Sequence, residues 1–288
     1  MVYVPSGRSS ATDAIHHILT AMNAEAPLKK MSSERQPDGQ VRYRLELGDQ
    51  LLFLNELIGR DFEMEFGGHI HCFCGETVQK VFRQHFCYDC FYSKPQAGDA
   101  IFRPELSTAH LGQEDRDLEW EKAYQLQPHI VYLANSGGVK VGVTRVAQMP
   151  MRWIDQGASS AIVLAEVPNR FLAGQIEVHL KDHFSDRTHV KKMLQTEEIA
   201  HDLHEERGRA MELLTDEFRS YCAEKAEVVE LRYPIKEYFV HQKSLQLEKE
   251  PQIKGKLIGI RGQYWLLDQG RALNIRSHEG RLVRTSWK

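Results

Sequence analysis

Four of the five cysteines in this 288-residue chain lie within 19 positions, as Cys72, Cys74, Cys87 and Cys90. The pattern is C-x-C, twelve residues, then C-x-x-C. Two close thiolate pairs on separate turns can supply the four tetrahedral ligands of a zinc ion, and Gly75 suits a tight knuckle after the first pair. Four thiolates leave no open coordination position, so the zinc is expected to hold the fold rather than to react. The first pair is one residue shorter than the commoner C-x-x-C, so His69, His71 and His85 stay open as alternatives for one ligand. Cys222, with no base near it in sequence, reads as a small buried residue.

A second constellation lies downstream: Tyr132, Lys140, Arg145, Arg152, Arg170 and Glu177. An arginine fork can hold a phosphate, and a carboxylate can hold a divalent cation beside it. The bland alternative pairs Glu177 with Lys181 on a helix surface and leaves Tyr132 in a core. The stretches VYLANSGGVKVGVTR, MRWIDQGA and AGQIEVHLKDHF resemble the core of the GIY-YIG nucleases. That resemblance implies that Tyr132 contacts or deprotonates a nucleophilic water, Arg152 holds the scissile phosphate and Glu177 binds magnesium or manganese. Arg145 and Arg170 would be auxiliary phosphate contacts. Two positions depart from the motif. Ile130 stands where its first glycine would be. Lys140 stands where its second tyrosine would be, able to pair with phosphate but not to supply a phenol.

A third set is basic and aromatic. Lys254, Lys256, Arg261, Arg271, Arg276, Arg281 and Arg284 interleave with Tyr264, Trp265 and Trp287. Such a surface can stack single-stranded bases between phosphate contacts, with Arg261 and Arg276 as named contacts. The alternative is a half-buried sheet whose outward positions happen to be basic. Glu198-x-x-His201 and His204-Glu205 read as a solvated helix face, and Gly255, Gly259 and Gly262 make no dinucleotide fingerprint.

The elements that must position these groups follow from patterning. Val41–Leu47 alternates as a strand, Gln50–Asn55 returns, and Asp61–Phe66 is a further strand. Residues 93–127 are polar and read as a linker with a helical end. Ile130–Ala134 and Val139–Thr144 flank the turn Asn135-Ser136-Gly137-Gly138 as a hairpin. A short helix over Pro150–Gln156, a strand over Ala161–Val167 and a helix capped by Asn169 follow. On that helix Leu172, Ile176, Leu180 and Phe184 form the buried stripe. Four short strands close the chain, at Ile253–Ile260, Gln263–Leu267, Leu273–Ile275 and Leu282–Ser286.

The expected class is therefore α+β, with a zinc ribbon on a small β-barrel-like module and a central GIY-YIG-like three-stranded sheet flanked by helices. The expected divisions are 1–27, an extension with a helix over Ala11–Met22; 28–68, strands that pair with the C-terminal module; 69–92, the ribbon; 93–127, the linker; 128–195, the central module; 196–230, acidic helices; and 231–288, a basic β module. The whole arrangement also resembles a bacterial family of unknown function, over about Leu28 to Val283.

Net charge is −3, so total charge gives no case for a polyanion partner. The charge is uneven, however: residues 231–288 hold 12 Lys/Arg against 5 Asp/Glu, and residues 196–230 hold 4 against 11. No apolar run approaches membrane-spanning length and no secretory signal is evident, so a cytoplasmic protein without a membrane partner is expected. Two functions fit. One is a nucleic-acid-binding zinc protein, extended to metal-dependent phosphodiester cleavage. The other is a non-catalytic protein that binds RNA or a protein through a degenerate nuclease-like module.

Overall fold

A computed structural model describes residues 25–82, 85–195, 201–240 and 243–288. The helix predicted over Ala11–Met22 lies outside the described residues, as does Glu198. In chain order the elements are β1 (Glu25–Pro27), β2 (Ser32–Arg35), β3 (Val41–Leu47), β4 (Gln50–Phe53), β5 (Asp61–His71), β6 (Thr77–Val78), α1 (Tyr88–Ser93) and α2 (Leu118–Gln125). Then come β7 (His129–Asn135), β8 (Val139–Arg145), α3 (Met151–Asp155), β9 (Ser160–Val167), α4 (Arg170–Leu180), α5 (Val190–Gln195), α6 (Leu203–Leu213) and α7 (Asp216–Arg219). The chain ends with β10 (Val229–Glu230), β11 (Lys243–Leu245), β12 (Gln252–Arg261), β13 (Tyr264–Leu267), β14 (Arg271–Asn274) and β15 (Arg281–Trp287).

The largest sheet runs β1-β15-β5-β12-β13-β14-β11, with β6 paired to β5, and curls into a half-barrel. Among the described residues the expected barrel does not close, and β1 and β11 are its two edges. Of the strands expected from residues 28–68 to complete it, only β5 does so, and the short β1 joins from residues 25–27, in the segment expected as an extension. The rest, β2-β3-β4, form a sheet of their own. In β3 the period of two is carried through: Val41, Tyr43, Leu45 and Leu47 point inward while Arg42, Arg44 and Glu46 face solvent.

The central sheet is antiparallel, ordered β10-β9-β7-β8, so the expected three strands gain the short β10 at one edge. Every residue of β7 is buried, the mark of a strand covered on both faces. One face, Ile130, Tyr132 and Ala134, joins the half-barrel core around Trp265 and Met64. The other, Val131 and Leu133, packs on Ile176 and Leu180 of α4 and Ala210 of α6. The central sheet therefore shares the core on one of its faces with the half-barrel.

Residues 93–127 are likewise no free linker. They form successive 3-10 turns and α2, and Arg170 of α4 donates to the Ala100 and Ile101 carbonyl oxygens at 2.8 and 2.7 Å. Asn169 caps α4 as its sequence predicts, its side-chain oxygen accepting from the Leu172 amide at 2.9 Å. Among the described residues no helix is long and apolar enough to cross a membrane.

Candidate functional site

The cysteine centre is built from a hairpin and a helix start. Cys72 follows β5, and the turn over Cys72–Gly75 closes with the Gly75 amide on the Cys72 carbonyl at 2.9 Å. Gly75 has φ +94°, a conformation that glycine adopts without Cβ strain. At the second pair Cys87 is the cap of α1, its sulfur accepting from the Cys90 amide at 3.5 Å. The Cys87 amide in turn donates to Cys72 Sγ at 3.0 Å. All four sulfurs lie within 4.8 Å of one another. A tetrahedral zinc with bonds of about 2.3 Å needs sulfurs about 3.8 Å apart, so a small contraction suffices.

Burial pushes the Cys90 thiol up to about 12 and raises Cys72, while the Glu76 backbone amide holds Cys74 low. Four thiols this close cannot all ionise without a compensating cation, which a divalent metal supplies. No histidine belongs to the close group among the described residues. The His85 ring instead lies parallel to Phe86, with centroids 5.9 Å apart. The four cysteines could thus bind a metal ion by themselves.

The second constellation gathers around the β7-β8 hairpin. Tyr132 sits opposite Gly142. A Cβ at Gly142 would come within 2.6 Å of the Tyr132 hydroxyl oxygen, so glycine leaves the phenol its space. That hydroxyl donates to Gln156 Oε1 at 2.8 Å, and the Arg152 charge acts on it against the effect of burial. The ring meets Trp153 edge-on at 5.9 Å. Tyr132 is fully buried. Its hydroxyl therefore fixes Gln156 at the end of α3, and does not face a solvent water as the nuclease resemblance implies.

Burial lowers Lys140 to about 8, with Arg152 adding to the effect and Glu177 and Asp186 opposing it. Its ammonium donates to the Asp186 carbonyl at 3.3 Å. Burial raises Glu177 to about 7 against the pull of Lys140 and Arg170. Tyr132, Lys140, Arg152, Arg170 and Glu177 are thus one electrostatic neighbourhood. Lys140, however, is buried under residues 185–186 and is not an outward phosphate contact. Arg145 lies 4.5 Å above the Tyr124 ring.

Beside this neighbourhood opens a cleft of about 520 Å³. Its cationic lining is Lys30, Arg152, Arg170 and Arg276, against the single carboxylate of Asp155. Asp155 is nearly buried and ties three distant segments together. It pairs with Lys30, accepts from Gln263 Nε2 at 2.9 Å and lies 3.8 Å from Arg276 Nη1. Sequence reading picked out Arg152, Arg170 and Arg276 but missed Lys30, Asp155, Tyr124 and Phe102, which also line the cleft. Asp155 follows Arg152 by three residues, the one local sign that both share a helix face. Lys30 and Asp155 are 125 residues apart, and nothing local links them.

The third constellation is mostly corrected. Trp265 and Trp287 are buried and pack on Phe62, so they cannot stack on bases. Arg261 is buried, donating to the Gly157 carbonyl at 2.9 Å with Tyr233 5.2 Å below its guanidinium, so it is not a surface phosphate contact. Arg271, Arg281, Arg284 and Lys254 are paired with Asp268, Glu248, Glu25 and Glu63. Of the two named C-terminal contacts only Arg276 reaches the cleft.

No curated protein and no solved structure matches the chain. A family model does match, over residues 59–283. It ends where the family resemblance was expected to end and begins some thirty residues later than expected. The chain belongs to the family described as Protein of unknown function (DUF2797).

Proposed function

We propose that the protein binds nucleic acid through the cleft beside α3, and that a zinc ion on Cys72, Cys74, Cys87 and Cys90 holds the adjoining knuckles. The observation that carries the first part is the cleft's lining, four cationic side chains against one carboxylate. Asp155 holds Lys30 and Arg276 in place, and one carboxylate against four cations leaves the lining net positive. A repeated phosphate chain matches several fixed cations within one cleft, and Tyr124 and Phe102 add rings at its wall. Thiolate ligands need a reducing compartment, which fits a cytoplasmic protein.

A second reading, metal-dependent cleavage, draws on Glu177. The order hairpin, helix, strand, helix, with β7 central, supports a GIY-YIG-like core. Glu177 lies among Lys140, Arg170 and Arg152 there. A magnesium or manganese ion would have Glu177 as its protein ligand, with substrate oxygens completing its shell. It would there stabilise charge on phosphate oxygens. Burial of Tyr132 favours binding over cleavage, because its phenol is closed off from solvent.

The test is to incubate labelled single- and double-stranded DNA and RNA with the zinc-loaded protein, with and without magnesium or manganese. Arg152→Ala and Glu177→Ala are run beside it. Retention that is lost in Arg152→Ala supports binding, and cleavage lost in Glu177→Ala supports the second reading. No retention of any polymer at low salt removes both.

A further inference from the structure

A second cleft, of about 500 Å³, adjoins the first. The two share Phe102, Arg152, Asp155 and Arg276, so these residues form the seam between them. The chemistry on the far side is different. Among the described residues it carries no lysine, arginine or carboxylate besides the shared ones. Its lining is apolar at Val190, Met193 and Tyr264 and neutral-polar at the half-buried amides of Gln156 and Asn274, while the buried Gln263 amide is spent on Met31 and Asp155. Tyr264 and Asn274 are direct cross-strand partners of β13 and β14, so their side chains lie side by side on one face. At the seam Phe102 is 48% exposed.

A charged slot leading over an aromatic seam into a neutral slot lined by amides has the chemistry of a nucleotide with its base turned out. The phosphate needs fixed cations. The base needs a flat apolar surface for its face and amide groups for its edge. Duplex cannot offer this arrangement without unstacking, whereas a single strand can. A purely polyanionic ligand would leave the second cleft unused.

We infer that the second cleft takes an unstacked base of a single strand whose backbone lies in the first, with Phe102 and Tyr264 as its stacking surfaces. The inference rests on the nucleic-acid reading above and names the substrate class for it: single-stranded rather than duplex, held by base as well as by phosphate.

The experiment compares two probes on the zinc-loaded full chain. One is a labelled single-stranded oligonucleotide. The other is an abasic deoxyribose-phosphate oligomer of the same length, which keeps the backbone charge and lacks every base. The base-bearing strand is expected to bind at least about fivefold more tightly, and more tightly than duplex. In Tyr264→Ala, and in Phe102→Ala should the first variant fail to fold, the ratio between the two probes collapses toward one. Equal affinity of both probes for the wild-type protein overturns the inference and leaves backbone binding standing. Absence of binding by either probe overturns the nucleic-acid reading and this inference with it.

Discussion

The cysteine knuckles and the seam cleft both crowd polar groups together, but they are held by different means. Among the described residues the buried cluster around the knuckles is Cys72, Phe86, Cys90 and Ala97, with Cys87 and Phe91 half-buried against it. So small a core contributes little against the entropy of ordering the segment, and a metal is the usual remedy. The cleft instead stands on the main core, where Trp153 and Ile154 of α3 are buried with Tyr132, Trp265 and Met31. Its charges are placed on a rigid floor, with Asp155 between Lys30 and Arg276 and Gln156 held by the buried Tyr132 hydroxyl. On the proposed reading one region is ordered by its metal, whereas the other is built by the protein core alone.

Removing the metal breaks the comparison most severely. Chelation, or Cys90→Ser, should take zinc from about one per chain to none by elemental analysis. It should cost the knuckles on the order of 10 kcal/mol of metal-binding free energy. Amide exchange should then rise steeply over residues 72–94 while residues 129–167 stay protected. A metal-free chain with both regions equally protected would refute the zinc assignment.

A smaller effect is expected at the cleft. Arg152→Ala should weaken single-strand affinity by about ten- to a hundredfold, the loss of a charge-assisted phosphate contact. Thermal stability should change little, since Arg152 is only half-buried. Arg261→Ala should do the reverse, lowering the melting temperature through the lost contacts to Gly157 and Tyr233 and leaving the salt dependence of binding unchanged. Titrations of both variants beside melting curves would show whether the two arginines separate in this way.

Finer still is the pH response. Glu177 sits near 7 and Lys140 near 8, each moved mainly by burial. As pH rises from about 6 to 9 Glu177 gains its negative charge and Lys140 loses its positive one. With Arg152, Arg170, Glu105 and Asp186 as the other charges they feel, the neighbourhood becomes less positive. Phosphate affinity should therefore fall several-fold over that range, and Glu177→Gln should flatten its lower half. The stability signs differ. Glu177 is raised from 4.5, so its contribution is present below that value and is lost as pH rises through about 7. Lys140 is lowered from 10.5, so its contribution is present above that value and is lost as pH falls through about 8. An affinity flat across the range would detach these two residues from the cleft.

Sequence legibility follows the reach of each interaction. The span of β3 was readable to the residue because alternation along Val41–Leu47 is a property of the strand alone. The β7-β8 hairpin and the Asn169 cap were readable for the same local reason. The start of α1 at the second knuckle was not. Tyr88–Ser93 is aromatic-rich, and what starts it is the Cys87 cap, placed by the thiol cluster. Strand β5 runs on through Gly67 and Gly68 to His71 because β15 and β6 pair with it, a long-range cause. Arg261 was misread for a related reason. A basic residue in a strand looks like surface until the partner that covers it, here the Gly157 carbonyl and Tyr233, is known. The cleft itself was invisible, since Lys30, Asp155, Gln263 and Arg276 meet only after folding.

The central claim is that fixed cations in a preformed cleft hold a phosphate backbone, and counting those cations tests it most directly. Equilibrium binding of a labelled single strand, followed from low to moderate salt, should give a log–log slope of about −3 if four cations each displace counterions. The slope should become shallower by about 0.7 in Arg276→Ala and again in the Arg152→Ala, Arg276→Ala double variant. A slope near zero, or one that neither substitution changes, would contradict it.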